Sequence, residues 1–167
     1  MSRTHLKEVL SVQDPLQTWN WDIILASIPG LADPRGITYK CVSTQIPNSA
    51  VEQVPLEAHG VKLNFAGKRV WSQQWEATFF ESRDSSTRDA FVNWHEMARS
   101  WQNNSGSYKS EYAVTGSLQL YDDRPLVVRT FELYGLFPLE VTPGTLDQAS
   151  QIIQYSVNFS YDWVSEG

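Results

Sequence analysis

The chain has one cysteine, Cys41, so it can form no internal disulfide and no cysteine-based zinc site. Histidines are few and scattered: His5, His59 and His95 form no His-x-His or His-x-x-x-His pair, which makes them poor metal ligands. Long apolar runs are missing as well. The stretches Ile23-Ile24-Leu25-Ala26 and Leu126-Val127-Val128 fall far short of the roughly 20 residues a membrane helix needs. No apolar segment follows Met1 to His5, so no signal peptide is expected. There is no Gly-x-Ser-x-Gly elbow and no dinucleotide fingerprint. Gly60 and Gly67-Lys68 have the wrong spacing for a phosphate loop, and Arg69 stands where Ser or Thr would hold magnesium. Asp122-Asp123 reads with Pro125 as a turn rather than a cation site. The expectation is a protein that is not an enzyme, with no catalytic, cofactor-binding or metal-binding residues.

Cations are unevenly spread. Residues 1–83 hold eight Lys or Arg against eight Asp or Glu, whereas residues 84–167 hold five against eleven, so the second half carries the whole net charge of −6. Beyond Arg129 there is no Lys or Arg at all. A surface that grips phosphates needs clustered cations. A conventional nucleic-acid-binding module is therefore not expected.

Aromatics are plentiful, with seven each of Trp, Tyr and Phe, and with Val and Thr they favour sheet. No repeat or linker divides the chain, so the expected organisation is a single domain over 1–167 with an N-terminal arm over about 1–16. Trp19, Trp21, Ile23 and Leu25 alternate as a first strand, and Ile37 to Val42 reads as a short second one. Residues 43–60, with Pro47 and Pro55, read as a long loop, since prolines remove ladder donors. Val61, Leu63 and Phe65 alternate up to a turn at Gly67-Lys68. Trp71, Trp75, Ala77 and Phe79 then share a face of the next strand.

One helix is predicted after a capping box at Ser86-Thr87-Arg88-Asp89, with Phe91, Trp94, Met97 and Trp101 on its core stripe and an end at Asn103 to Gly106. A hairpin turning at Asp122 to Pro125 follows, and Gly135 to Pro138 should break its second strand. The closing strand has the strongest pattern. Ile153, Tyr155, Val157, Phe159, Tyr161 and Trp163 fall on one face, and Gln154, Ser156, Asn158, Ser160 and Asp162 on the other. A one-residue slip would expose every large side chain, so its register is fixed. Small sheets must also protect their edges, and copies joined edge to edge around a rotation axis close into a wide barrel with a polar interior.

Certain residues in this order are similar to a known family. They are Cys41, Ile46-Pro47, Val51-Glu52-Gln53-Val54-Pro55, Phe79-Phe80, and Arg88, Phe91, Val92 and Trp94. Tyr108, Tyr112, Tyr134-Gly135-Leu136-Phe137-Pro138, and Val157, Phe159, Tyr161, Asp162 and Trp163 complete the set. Over about Trp21 to Trp163 the chain resembles the tail tube (tail-core) proteins of T-even-like contractile-tail bacteriophages. The N-terminal arm and residues 103–110 depart from that pattern.

The resemblance implies a mainly β fold: two packed, mostly antiparallel sheets in a sandwich or barrel, flanked by one α-helix, with subunits joining their sheets into a hexameric ring barrel. It implies a structural virion protein whose stacked rings form the inner tail tube, the conduit for genome ejection. It sits within a contractile sheath and is assembled in the bacterial host cytoplasm. The implied partners are further copies of itself, the tail sheath protein, a baseplate tube initiator and a tail terminator, with transient passage of double-stranded DNA. In such proteins the long loop between early strands reaches the adjacent ring, which here assigns ring stacking to Pro47, Val51, Glu52, Val54 and Pro55. A lumen that does not hold DNA must lack cations, and Gln154, Ser156, Asn158, Ser160 and Asp162 are the candidate lining; outside solvent or sheath is the alternative for that face. Other posts for the same fold are a baseplate tube initiator or the inner tube of a phage-derived contractile injection system. A monomeric β-rich binding domain is the reading from a different class.

Overall fold

The computed structural model describes residues 10–167, so the first nine residues of the expected arm, with His5, lie outside the described part. The elements run β1 (Trp21–Leu25), α1 (Arg35–Thr38), β2 (Cys41–Thr44), β3 (Ser49–Ala58), β4 (Val61–Trp71), β5 (Gln74–Phe80), α2 (Ser86–Ala98), α3 (Lys109–Tyr112), β6 (Val114–Tyr121), β7 (Val127–Pro143), β8 (Gln154–Ser160) and β9 (Trp163–Glu166). All named strand pairs are antiparallel. Two sheets share β7: one in the order β1-β6-β7-β9, the other β7-β8-β5-β2. β8 and β9 follow one side of β7, while β6 covers the other side only as far as Leu136. Among the described residues β3 and β4 pair only with each other. This is the expected architecture of two antiparallel sheets with a flanking helix.

One core joins both sheets to α2. Tyr155, Val157 and Phe159 of β8 alternate inward with Trp75, Ala77 and Phe79 of β5, and Ile23, Leu25, Leu118 and Leu133 face them from the other sheet. Phe91 and Trp94 of α2 are fully buried, with Phe91 against Phe79 and Phe159, and Trp94 against Phe159. Trp94 Nε1 donates to the Tyr112 carbonyl at 2.6 Å, so the one polar atom of that buried ring also ties α2 to α3.

The helix begins differently from its sequence signature. Ser86 is the first helical residue rather than the cap: Ser85 holds that position in a left-handed conformation with no side-chain capping bond, and the Ser86 hydroxyl accepts from Lys40 Nζ at 2.8 Å. The free amides of Thr87 and Arg88 donate instead to the Glu81 carboxylate, each at 3.1 Å, and that of Ser86 to Asp84. Hydrogen bonds from Ser82 and Ser86 hold the Asp84 carboxyl down at about 2. The helix also ends early, at Ala98. Of the residues expected on the core stripe, Met97 is exposed and outside the core, and Trp101 lies beyond the last turn and is 79% exposed.

Other departures have local causes. Residues 35–38 form a helical turn, so the second strand starts at Cys41 rather than Ile37. β4 continues through Gly67-Lys68, which form a β-bulge opposite Glu52 rather than a turn, and the turn falls earlier, at His59-Gly60, where φ is +52° and +76°. Gly135 to Pro138 do not interrupt β7. Gly135 adopts φ +71° with no Cβ to meet the Asp162 carboxylate beside it, and Pro138 stands at a β-bulge, which accommodates proline within a strand. The terminal alternation is divided at Tyr161-Asp162 into β8 and β9.

Candidate assembly and conduit surfaces

The sheet β7-β8-β5-β2 presents its second face to the outside. Register places Ser156 between Thr142 and Thr78, and Asn158 between Glu140 and Glu76. Gln154 and Ser160 extend the row on β8, Gln74 on β5 and Ser43 on β2. Thr78 and Ser156 share a hydroxyl–hydroxyl bond at 3.2 Å. Across these strands the face is hydroxyl, amide and carboxylate, broken by the exposed Phe80 opposite Gln154, with no Lys or Arg among the residues named. Sequence alternation marked the β8 members of this row; the carboxylates of Glu76 and Glu140 came to it only through pairing across strands. Asp162 does not belong to the row. It lies past the end of β8, where its carboxylate pairs with Lys109 Nζ at 2.6 Å.

Both long edges of this sheet are unpaired among the described residues: β2 on one side, and β7 beyond Leu136 on the other. Cys41, on β2, packs against the core, and burial pushes its thiol up to about 12.

The other surface is the β3–β4 hairpin. Residues 49–58, expected within a loop, are a full strand, because a two-stranded ribbon gives Pro55 an outer edge on which its missing donor is not needed. Register sets Val54 opposite Phe65, Leu56 opposite Leu63 and Ala58 opposite Val61, so one face is wholly apolar. Val54, Leu56, Val61, Leu63 and Phe65 are about half exposed. Glu52 falls at a bulge between Val51 and Gln53, where Gly67 leaves room for its carbonyl. Pro47 is half-buried ahead of β3, and Val51 is exposed. The signal for the hairpin was present in the sequence: two alternating runs on either side of the two-residue turn His59-Gly60.

Among the described residues no cluster of His, Cys, Asp and Glu could hold a metal, and no helix is long and apolar enough to cross a membrane.

The model of the phage tail tube protein family matches residues 21–165. The chain belongs to this family. Apart from Glu166, the last residue of β9, both sheets, α2 and the hairpin fall within the matched span of this tail tube family member. Tail tube protein gp19 of Enterobacteria phage T4 is 28% identical over 133 residues, covering 77% of this chain and 81% of its own. Among solved structures, the sheath/tube terminator of the extracellular contractile injection system PVC superposes with a TM-score of 0.66 at 14% identity, covering 94% of this chain and 99% of its own. The sixfold-symmetrised baseplate of the anti-feeding prophage gives 0.63 at 13% identity, over 93% and 97%. At such identities these two likenesses concern the fold.

Proposed function

We propose that the chain is a structural protein of a phage tail that polymerises as stacked hexameric rings into the inner tube, the conduit through which the genome leaves. The observation that carries this reading is the four-stranded sheet β7-β8-β5-β2, mostly polar and free of cations on one face and unpaired at both edges among the described residues. Open edges invite pairing with another copy, and a closed ring removes them. Six copies, as in the sixfold particle of a structural relative, bring twenty-four strands together. At about 4.8 Å per strand and tilts up to about 45°, such a cylinder measures roughly 35–50 Å across its backbone, wide enough for an aqueous channel.

Gln154, Ser156, Asn158 and Ser160, with Glu76 and Glu140, line that channel. Duplex DNA carries one phosphate charge per about 1.7 Å of its axis, and a wall of hydroxyls, amides and carboxylates gives it nothing to bind. The hairpin reaches the adjacent ring and lays the apolar face of Val54, Leu56, Leu63 and Phe65 against it. A two-stranded ribbon is at best marginally stable alone in water, so this face requires a cover. The outer layer of α2 and the β1-β6-β7-β9 sheet faces a contractile sheath. A tube initiator at the baseplate and a terminator close the ends, and assembly takes place in the host cytoplasm before the tube enters the virion.

Electron micrographs of the purified protein are the direct test. Hollow tubes or stacked annuli are expected; a monodisperse monomer by light scattering, with featureless particles on the grid, would overturn the reading and favour a binding domain.

A further inference from the structure

The strands of the conduit sheet have two ends, and the chain builds a different apolar feature at each. β2 stops at Thr44 and β5 begins at Gln74, so both arms of the β3–β4 hairpin leave where Gln74 and Phe137 flank Ser160. The connection from β7 to β8, residues 144–153, leaves at the other end, where Phe80 stands opposite Gln154 and Pro143 opposite Tyr155. Hairpin and loop therefore lie at opposite ends of the same wall.

The hairpin is anchored at its root, where Trp71 packs against the core and Ser72 N donates to the Asn48 carbonyl at 3.2 Å. Beyond Ser49 every residue of β3 is exposed. At about 3.4 Å per residue the strand carries its tip roughly 30 Å from that root. The pairs Val54–Phe65, Leu56–Leu63 and Ala58–Val61 all fall past the bulge, in the part that projects farthest.

The loop at the opposite end closes on itself: a Cβ on Gly144 would stand 2.8 Å from the Gln154 carbonyl oxygen. Compact surface loops with ends this close are ordinarily filled by their own side chains. This one borders an open hollow of about 800 Å³ and turns its aliphatic residues outward, with Leu146 78% and Ile152 70% exposed. Phe80, which interrupts the polar face of the wall, is exposed at the same end.

We propose that the β7–β8 loop is the receptor for the hairpin, so that Leu56, Leu63 and Phe65 of one copy dock against Leu146, Ile152 and Phe80 of a copy in the next ring. This deepens the tube reading and rests on it. Stacking sets one end of the wall against the other at every junction, so what projects from one end meets what is built at the opposite end. A second apolar groove, between Leu16, Trp21, Ile46 and Leu120, is lined also by Thr44 and Gln45 and so lies at the hairpin's own end, out of line with a hairpin arriving from the next ring. The contact is heterologous, and such an interface propagates without closing. The tube is consequently directional: one end shows uncovered hairpins and the other uncovered loops.

Complementation between two crippled rings tests this. Leu146→Asp with Ile152→Asp removes the receptor and keeps the hairpin; Leu56→Glu does the reverse. Each variant alone should stop at single rings. Mixed after ring formation, they should yield pairs of rings and nothing longer, because only one competent end of each kind is present. Tubes from the loop variant alone, or no pairs in the mixture, overturn the loop as receptor and leave the tube standing. Failure of the unsubstituted protein to form rings or tubes overturns both. Hydroxyl-radical footprinting of the unsubstituted protein is independent of how the variants fold. Oxidation of Leu146 and Ile152 should drop severalfold between dissociated subunits and tubes, together with that of Leu56 and Leu63; unchanged oxidation of Leu146 and Ile152 in tubes overturns the docking.

Discussion

Phe159 touches the rings of Trp75, Phe91 and Trp94, and so brings β5, β8 and α2 together at one fully buried side chain. Truncating it leaves a void bounded by stiff rings that cannot collapse into it. Phe159→Ala should lower the unfolding free energy of the dissociated subunit by about 3–5 kcal/mol, measured by denaturant titration. Cys41 offers a different readout. With its thiol pushed up to about 12 from an ordinary 9.0, the reactive thiolate at neutral pH is scarce, and alkylation of the folded protein should run on the order of a thousandfold slower than that of the unfolded chain. Both residues could be singled out from the sequence, Phe159 by its place in an alternating run. The partners of Phe159 could not, because they lie on two other elements, β5 and α2. Trp101 went the other way: its spacing fits the helical stripe, but the chain leaves the helix after Ala98, and periodicity carries no information about where a helix stops.

The β3–β4 hairpin has a solvent-facing apolar side, and among the described residues no further strand joins it. Leu56→Glu places a charge in the middle of that side. The subunit's melting temperature should stay within a degree or two, since no core contact is lost, while tube length in micrographs collapses to single rings or less. A sharp fall in melting temperature would instead mean that the hairpin packs on its own subunit. Prolines hid this element: Pro47 and Pro55 argue against a central strand, and they are right to, since the ribbon consists of edges alone. Conversely, β8 was legible almost residue by residue, because one buried and one polar face leave a single register. The start of α2 was found, but its cap was not. Lys40 occupies Ser86 and the carboxylates of Glu81 and Asp84 take over, a tertiary arrangement no local motif reports.

Electrostatics of the assembled protein depend on repetition. A single substitution in one subunit recurs six times per ring in the proposed hexamer, so Asn158→Lys, between Glu76 and Glu140, converts a belt of carboxylates into one of mixed charge at every level of the tube. Each added cation near the duplex contributes to salt-dependent retention. Particles carrying Asn158→Lys should release DNA more slowly than wild type in low salt, with the difference fading as salt rises; identical release curves would place this face outside the channel. The charge imbalance between the two halves of the sequence fits the absence of Lys and Arg among the residues named on this face, the proposed channel wall. The wall itself, however, draws on β2, β5, β7 and β8, and only the last of these announced its polar face in one dimension.

The seventeen residues of β7 belong to both sheets. Tension pulling neighbouring copies apart enters the subunit along a strand whose other half is already anchored in the outer layer, through covalent backbone rather than sliding side chains. Under mechanical overload the cylinder should therefore split along the seams between subunits, each piece coming away with its inner and outer walls still joined.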